Sequence, residues 1–160
     1  MSAKAFATAI ASLLSTDATF QAALTALLGV TVTRALRSNV PFNQIPSDQW
    51  PCFVVEQGPG GAGSISNGGD DDDGLVIGSH RAGFNSELDV ALLWQQSDRD
   101  TAADQRAELP TLFAQLLLRN PSPGGINLAF LQSWVPDQGI NHPKQIWTAT
   151  LRGEYPIYRS

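Results

Sequence analysis

The stretch FNSELDVALLWQQSDRDTAADQRAELPTLFAQLLLRN, residues 84–120, decides the fold of this chain. The large apolar residues Leu88, Val90, Leu92 and Trp94 alternate with Asp89, Ala91 and Leu93, and this period of two predicts a strand with a strongly apolar face. The polar segment 97–100 ends that pattern. Large apolar residues then recur at helical spacing from Leu109 to Leu117, which predicts an amphipathic helix. A strand and a helix joined this closely can pack against each other and begin a two-layer core.

The same patterns place the other elements. Helical periodicity predicts one helix from Ala3 to Leu14 and a second that ends at Gly29, with Thr16 or Asp17 capping the second. The two pieces could form one bent helix or a helical hairpin. Alternation predicts further strands at Val30–Arg37, Cys52–Gln57, Ile126–Val135 and Gln145–Tyr158. The expected fold is a single α+β domain, residues 1–160, in which a mixed, largely antiparallel sheet of four or five strands packs with an N-terminal helix and a long central helix.

The central helix is predicted to begin near Thr101, which stands in capping-box-like spacing with Asp104. Pro110 falls inside this helix and removes one backbone hydrogen bond, at a cost on the order of 3 kcal/mol before compensation. We therefore expect either a kink at Pro110 or a helix in two pieces.

Residues 58–74 are rich in glycine and aspartate. Seven glycines and the run Asp70, Asp71, Asp72 and Asp73 cannot bury apolar surface, so this segment is predicted to be a long flexible loop. It is not a phosphate-binding loop, because no Gly-Lys-Ser/Thr follows. The four acids could bind a hard cation, but consecutive acids do not match the alternating spacing of a calcium loop. A solvated, mutually repelling run is the simpler interpretation.

Composition narrows the classes of function. The chain has 160 residues, enough for one domain with a core, and only 16% of them are charged, against about 25% in typical soluble domains. A surface poor in charge suggests that a partner covers part of it. The formal net charge is −5 without a Lys/Arg cluster, which argues against a free-standing nucleic-acid reader. The single cysteine, Cys52, excludes an intrachain disulfide, and we expect no membrane span.

No catalytic constellation stands out, and we expect neither a cofactor nor a metal site. His80 and His142 are the only histidines, and neither has a metal-ligand partner at i+2 or i+4. A histidine could form a triad with Ser79 or Ser133, but no nucleophile-elbow motif supports one. A small-molecule-binding or hydrolytic α/β domain that uses His80 with Ser79 remains a less favoured alternative.

The second face of the strand in residues 84–94 carries Glu87, Asp89, Ala91 and Leu93. Acids beside Leu93 are unusual for a solvent face, whereas a contact between subunits would accommodate them. These four residues are therefore the candidate inter-subunit face.

Taken in order, the elements resemble those of the tail terminator proteins of long-tailed bacteriophages. The resemblance runs from the N-terminal helical region and the strand Val30–Arg37 through a proline-bearing loop that ends in WPCFVV (50–55). It continues through a glycine-rich loop, the strand Arg81–Trp94 and a long helix, to a last strand that closes as IWTATLRGEY (146–155).

This resemblance implies a structural virion protein that forms a six-membered ring at the head-proximal end of the tail, assembled in the host cytoplasm. The ring would cap the tail tube, stop polymerisation of the tube protein and contact the head connector, while DNA passes through its lumen without specific binding. A neck protein that joins head and tail is the alternative. Asp70, Asp71, Asp72 and Asp73 would then face the lumen or a face of the ring and repel the passing DNA.

Overall fold

The computed structural model describes residues 3–37, 44–63, 81–125, 128–136 and 142–158. These residues form three α-helices, five strands and two short 3-10 turns. The helices are α1 (Ala3–Thr16), α2 (Ala18–Leu28) and α3 (Arg99–Arg119). The strands are β1 (Ala35–Arg37), β2 (Cys52–Gly63), β3 (Arg81–Gln95), β4 (Leu128–Pro136) and β5 (Lys144–Tyr158). The predicted α+β class, with a five-stranded mixed sheet, is confirmed.

The five strands form one sheet in the order β1-β2-β3-β5-β4. β1 runs parallel to β2, and every other neighbouring pair is antiparallel. The strand predicted within residues 84–94 is part of β3, which lies at the centre of the sheet and pairs along its whole length with β5. Among the described residues, the two edge strands of the sheet are therefore the three-residue β1 and the nine-residue β4.

The helices cover one face of the sheet, and the main core lies between the two layers. Leu88, Val90, Leu92 and Trp94 all point into this core and are fully buried, as the alternation predicted. The rings of Phe113 on α3 and Trp147 on β5 lie 4.6 Å apart between their centroids, and Phe20 of α2 packs edge-on against Phe113 at 5.4 Å. Such tilted and edge-on aromatic pairs add to the energy of burial.

One buried polar network ties β3, α3 and α2 together. The indole Nε1 of Trp94 donates to Oε1 of Gln105 at 2.9 Å, and Nε2 of Gln105 donates to the backbone oxygen of Leu27 at 3.1 Å. Gln105 is only 3% exposed, so its amide is satisfied inside the core. The indole N–H of Trp147 is also buried, but it finds no acceptor in the described part of the chain.

Asp17 separates α1 from α2, so the N-terminal region is two helices. Its carboxylate accepts the backbone N–H of Phe20 at 2.8 Å, which caps α2, and it pairs with Arg119 at 3.2 Å. The hydrogen bond from the Phe20 backbone is the main reason that the pKa of Asp17 is lowered. Gly29 ends α2 in the left-handed region, with φ of 70°, as its predicted position after the helix requires.

The start of α3 differs from the prediction, and its course past Pro110 excludes one of the two alternatives expected there. Asp98, not Thr101, is the capping residue, because its side chain accepts the backbone N–H of Thr101 at 2.7 Å and the helix begins at Arg99. The helix then continues through Pro110 to Arg119 as one element. Of the two alternatives expected at Pro110, the helix in two pieces is wrong, and the kink stays a prediction.

Two predicted strand boundaries also change. Only Ala35–Arg37 of the predicted strand Val30–Arg37 pairs in the sheet. The backbone oxygen of Val32 instead accepts from Nε2 of Gln21 on α2 at 2.7 Å, so this approach to β1 is tied to a helix.

β2 is longer than predicted and takes up the first part of the expected loop at 58–74. After an irregularity between Gln57 and Gly60, residues 60–63 pair with residues 83–86 of β3. A ladder of this kind needs only backbone groups, so its formation does not depend on large side chains. Residues 64–74, including the acidic run 70–73, lie outside the described residues.

Candidate interaction surfaces

An apolar groove of about 920 Å³ lies between α3 and the edge strand β4. Its α3 wall includes the small side chains of Ala103, Ala107 and Ala114. Trp134 lies on the wall contributed by β4 and is 49% exposed. The other lining residues are Arg106, Pro110, Thr111, Leu117, Leu118, Pro121, Ala129 and Leu131.

Large apolar side chains are exposed at this end of the molecule. Leu118 on α3 is 79% exposed, and Val135 on β4 is 66% exposed. Leu118 and Trp134 both line the groove, whereas Val135 lies on the other face of β4. Exposed apolar side chains beside a groove are typical of a surface that another protein covers. Helical periodicity does not single out Leu118, since it lies off the apolar stripe of α3.

The outer edge of β4 adds backbone hydrogen-bonding groups to this end. Among the described strands, β4 pairs only with β5, with an irregularity between Leu131 and Ser133. The backbone N–H of Ala129 donates to the oxygen of Pro121 at 3.0 Å, which protects the start of the strand. An open strand edge pairs readily with another chain unless something covers it.

The predicted inter-subunit face divides into two halves. Ala91 and Leu93 are fully buried within their own chain, where they pack in a second, smaller core with Cys52 and Val54. The segment before β2 covers them, with Ile45 contributing directly to this second core. Ala91 and Leu93 are therefore not surface residues, and this part of the prediction is wrong.

Trp50 holds in place the segment that covers this second core. Its indole Nε1 donates to the backbone oxygen of Ile45 at 3.2 Å, which holds the segment across the sheet. Because the covering residues lie in a proline-bearing connection, strand periodicity did not reveal that they would reach this face.

The acidic half of the predicted face is half-buried and joins a polar band across the sheet. Glu56, Asp89 and Thr150 lie side by side on three neighbouring strands. The hydroxyl of Thr150 donates to Oδ1 of Asp89 at 2.8 Å. Burial, together with the neighbouring Asp89 carboxylate, raises the pKa of Glu56. Glu87 lies two residues before Asp89 on β3, on the same face, opposite Arg152.

The described residues offer no arrangement suited to catalysis. Cys52 is fully buried, and burial raises the pKa of its thiol, so it is not an activated nucleophile. No three metal-binding side chains come together among the described residues. His80 and Ser79, and the acids Asp70, Asp71, Asp72 and Asp73, lie outside the described residues, so the proposed roles of these side chains stay predictions. None of the described helices is long and apolar enough to span a membrane.

Comparison with known proteins connects the fold to a virus-like particle. No protein-family model matches the chain. No curated protein sequence matches it either. Among solved structures, the chain is similar to a chain in the virion of a native gene transfer agent particle, with a TM-score of 0.51 and 15% sequence identity over 95% of both chains. At this identity the match shows that the two chains share a fold along almost their whole length.

Proposed function

We propose that this chain is a structural virion protein of a tailed phage or phage-like particle. The observation that carries the proposal is the fold shared with a chain of the gene transfer agent virion, which covers 95% of each chain. The order of elements, which resembles that of tail terminators, supports the same class. The apolar groove and the open edge of β4 favour a protein that works by contact with other subunits.

Within that class we propose the role of tail terminator. Copies of the chain would form a ring, with six subunits as the resemblance implies, that caps the tail tube, stops the tube protein from polymerising and contacts the head connector. The two ends of the sheet differ, β1 being short and β4 long. Contact between unlike ends is the head-to-tail type that closes into a ring when the rotation per subunit permits.

The acidic run Asp70, Asp71, Asp72 and Asp73 is proposed to face the lumen or one face of this ring. Six copies of four carboxylates would repel passing DNA, so DNA could slide without binding. Replacement of all four by Asn should leave the rings intact and slow DNA passage most at low salt, where repulsion is least screened. A passage defect that does not depend on salt would count against this role.

The experiment for the proposed role combines electron microscopy with genetics. Rings of the purified protein, together with abnormally long tails in particles that lack it, support a terminator. Finished tails that remain unattached to heads would instead indicate a neck protein. A strict monomer whose loss leaves particle morphology unchanged would contradict both roles.

A further inference from the structure

One end of the molecule carries a stripe of exposed acids beside the apolar groove. Asp100, Asp104 and Glu108 are exposed and follow at intervals of four residues along α3, so they form one stripe on the helix surface. Ala103 and Ala107 line the groove, and the acids that follow them in sequence lie about 100° further around the helix. The groove is therefore flanked by negative charge along its α3 side.

The opposite end of the sheet carries exposed basic side chains. Arg34 and Arg37 lie at β1, and both are exposed. The guanidinium of Arg37 donates to the hydroxyl of Thr8 on α1 at 3.0 Å, and exposed Lys4 lies one turn earlier on the same helix. α1 packs over β1 and β2, so Lys4 and Arg37 form one basic surface at the β1 end of the sheet. Arg34 lies on the other face, where its guanidinium donates to the backbone oxygen of Gln49 at 3.5 Å.

Within the described part of the chain, neither charged surface is neutralised by an ion pair. None of the three acids and none of the three basic residues forms an ion pair with a described residue of the same subunit. Two such stripes on opposite ends of one sheet are complementary to each other, while each would repel a second copy of itself. Complementary charges set the orientation and register of a contact, and apolar area supplies much of its energy.

We propose that the α3/β4 end of one copy docks onto the α1/β1 end of the next copy. In this arrangement the acidic stripe faces the basic surface of the neighbour, whose α1/β1 end covers the apolar groove. This inference rests on the proposed ring, and it names the two surfaces that make each contact in that ring. The contact is head-to-tail, so each subunit uses both ends once.

The test exchanges charges between the two ends. One variant carries Asp104→Lys and Glu108→Lys, leaving Asp100 beside the helix start unchanged. The second variant carries Lys4→Glu and Arg37→Glu. A control variant carries Ala22→Lys and Ala26→Lys, because these exposed side chains lie at the same spacing on α2, a helix that belongs to neither proposed docking surface. Light scattering and negative-stain microscopy report assembly, and circular dichroism confirms folding.

Each charge-exchanged variant alone should assemble at least about tenfold more weakly than the parent, since every contact then joins like charges. An equimolar mixture of the two variants should restore rings, because alternating subunits return opposite charges to every contact. The control variant should assemble like the parent. If each variant alone forms rings as well as the parent does, the proposed docking surfaces are wrong but the proposed ring is not contradicted. A parent that forms no ring would contradict the ring and the docking surfaces together.

Discussion

Replacing either of two buried tryptophans by phenylalanine should have unequal effects on stability. Trp94 and Trp147 are both fully buried, so each substitution removes a similar apolar volume, worth about 1–2 kcal/mol. The indole N–H of Trp94 has an acceptor, Oε1 of Gln105, whereas that of Trp147 has none among the described residues.

The expected difference follows from what each substitution leaves behind. Trp94→Phe leaves the buried oxygen of Gln105 without its donor, which adds about 1–3 kcal/mol and brings the total loss to about 2–5 kcal/mol. Trp147→Phe removes a polar group that was buried without a partner, so the loss should stay below about 2 kcal/mol. Trp94→Phe is therefore the more destabilising change.

Urea denaturation followed by far-ultraviolet circular dichroism measures this difference. The midpoint should fall further for Trp94→Phe while the slope of the transition stays the same. Both variants and the parent need the same protein concentration, because assembly would add to the apparent stability. Equal midpoints, or a lower midpoint for Trp147→Phe, would refute the reasoning about the Gln105 network.

Three further changes test local features of the fold. Asp17→Ala should lower the free energy of unfolding, measured by urea denaturation at pH 7, by about 1–2 kcal/mol, since it removes the α2 cap. Because the pKa of Asp17 is lowered in the folded state, this loss of stability relative to the parent should shrink as the pH falls below about 4. Glu56→Gln should raise the urea midpoint at pH 7, because burial raises the pKa of Glu56 and so disfavours its charged form in the folded state. The gain should vanish at a pH low enough to protonate Glu56 in the unfolded chain as well. Gly124→Ala should lower the melting temperature more than Gly29→Ala. Both glycines have positive φ, but only at Gly124 would the new Cβ lie 2.8 Å from a backbone oxygen, that of Ala5. Equal decreases in melting temperature would show that this close approach does not matter.

Much of the core could be predicted from the sequence because it depends on local periodicity. The alternation from Leu88 to Trp94 fixes which side chains of β3 share a face, and those four proved to be fully buried beneath the helices. The polar residues between α1 and α2 likewise marked a cap, since Asp17 acts on the turn that directly follows it.

The surfaces were harder to predict because they depend on residues far apart in sequence. Leu93 looked like a candidate for contact between subunits, yet the segment containing Ile45 covers it. The groove depends on the position of β4 at the edge of the sheet, beyond β5, and periodicity does not give strand order. Trp134 lies on the β4 side of that groove and stays 49% exposed.

The most direct test of the central claim is negative-stain electron microscopy of the purified protein, with its mass measured by light scattering. We expect rings with a central opening and a mass of six subunits of 17.1 kDa. Protein that remains monomeric at high concentration, together with tails that carry no ring when assembled in its presence, would contradict the proposed ring.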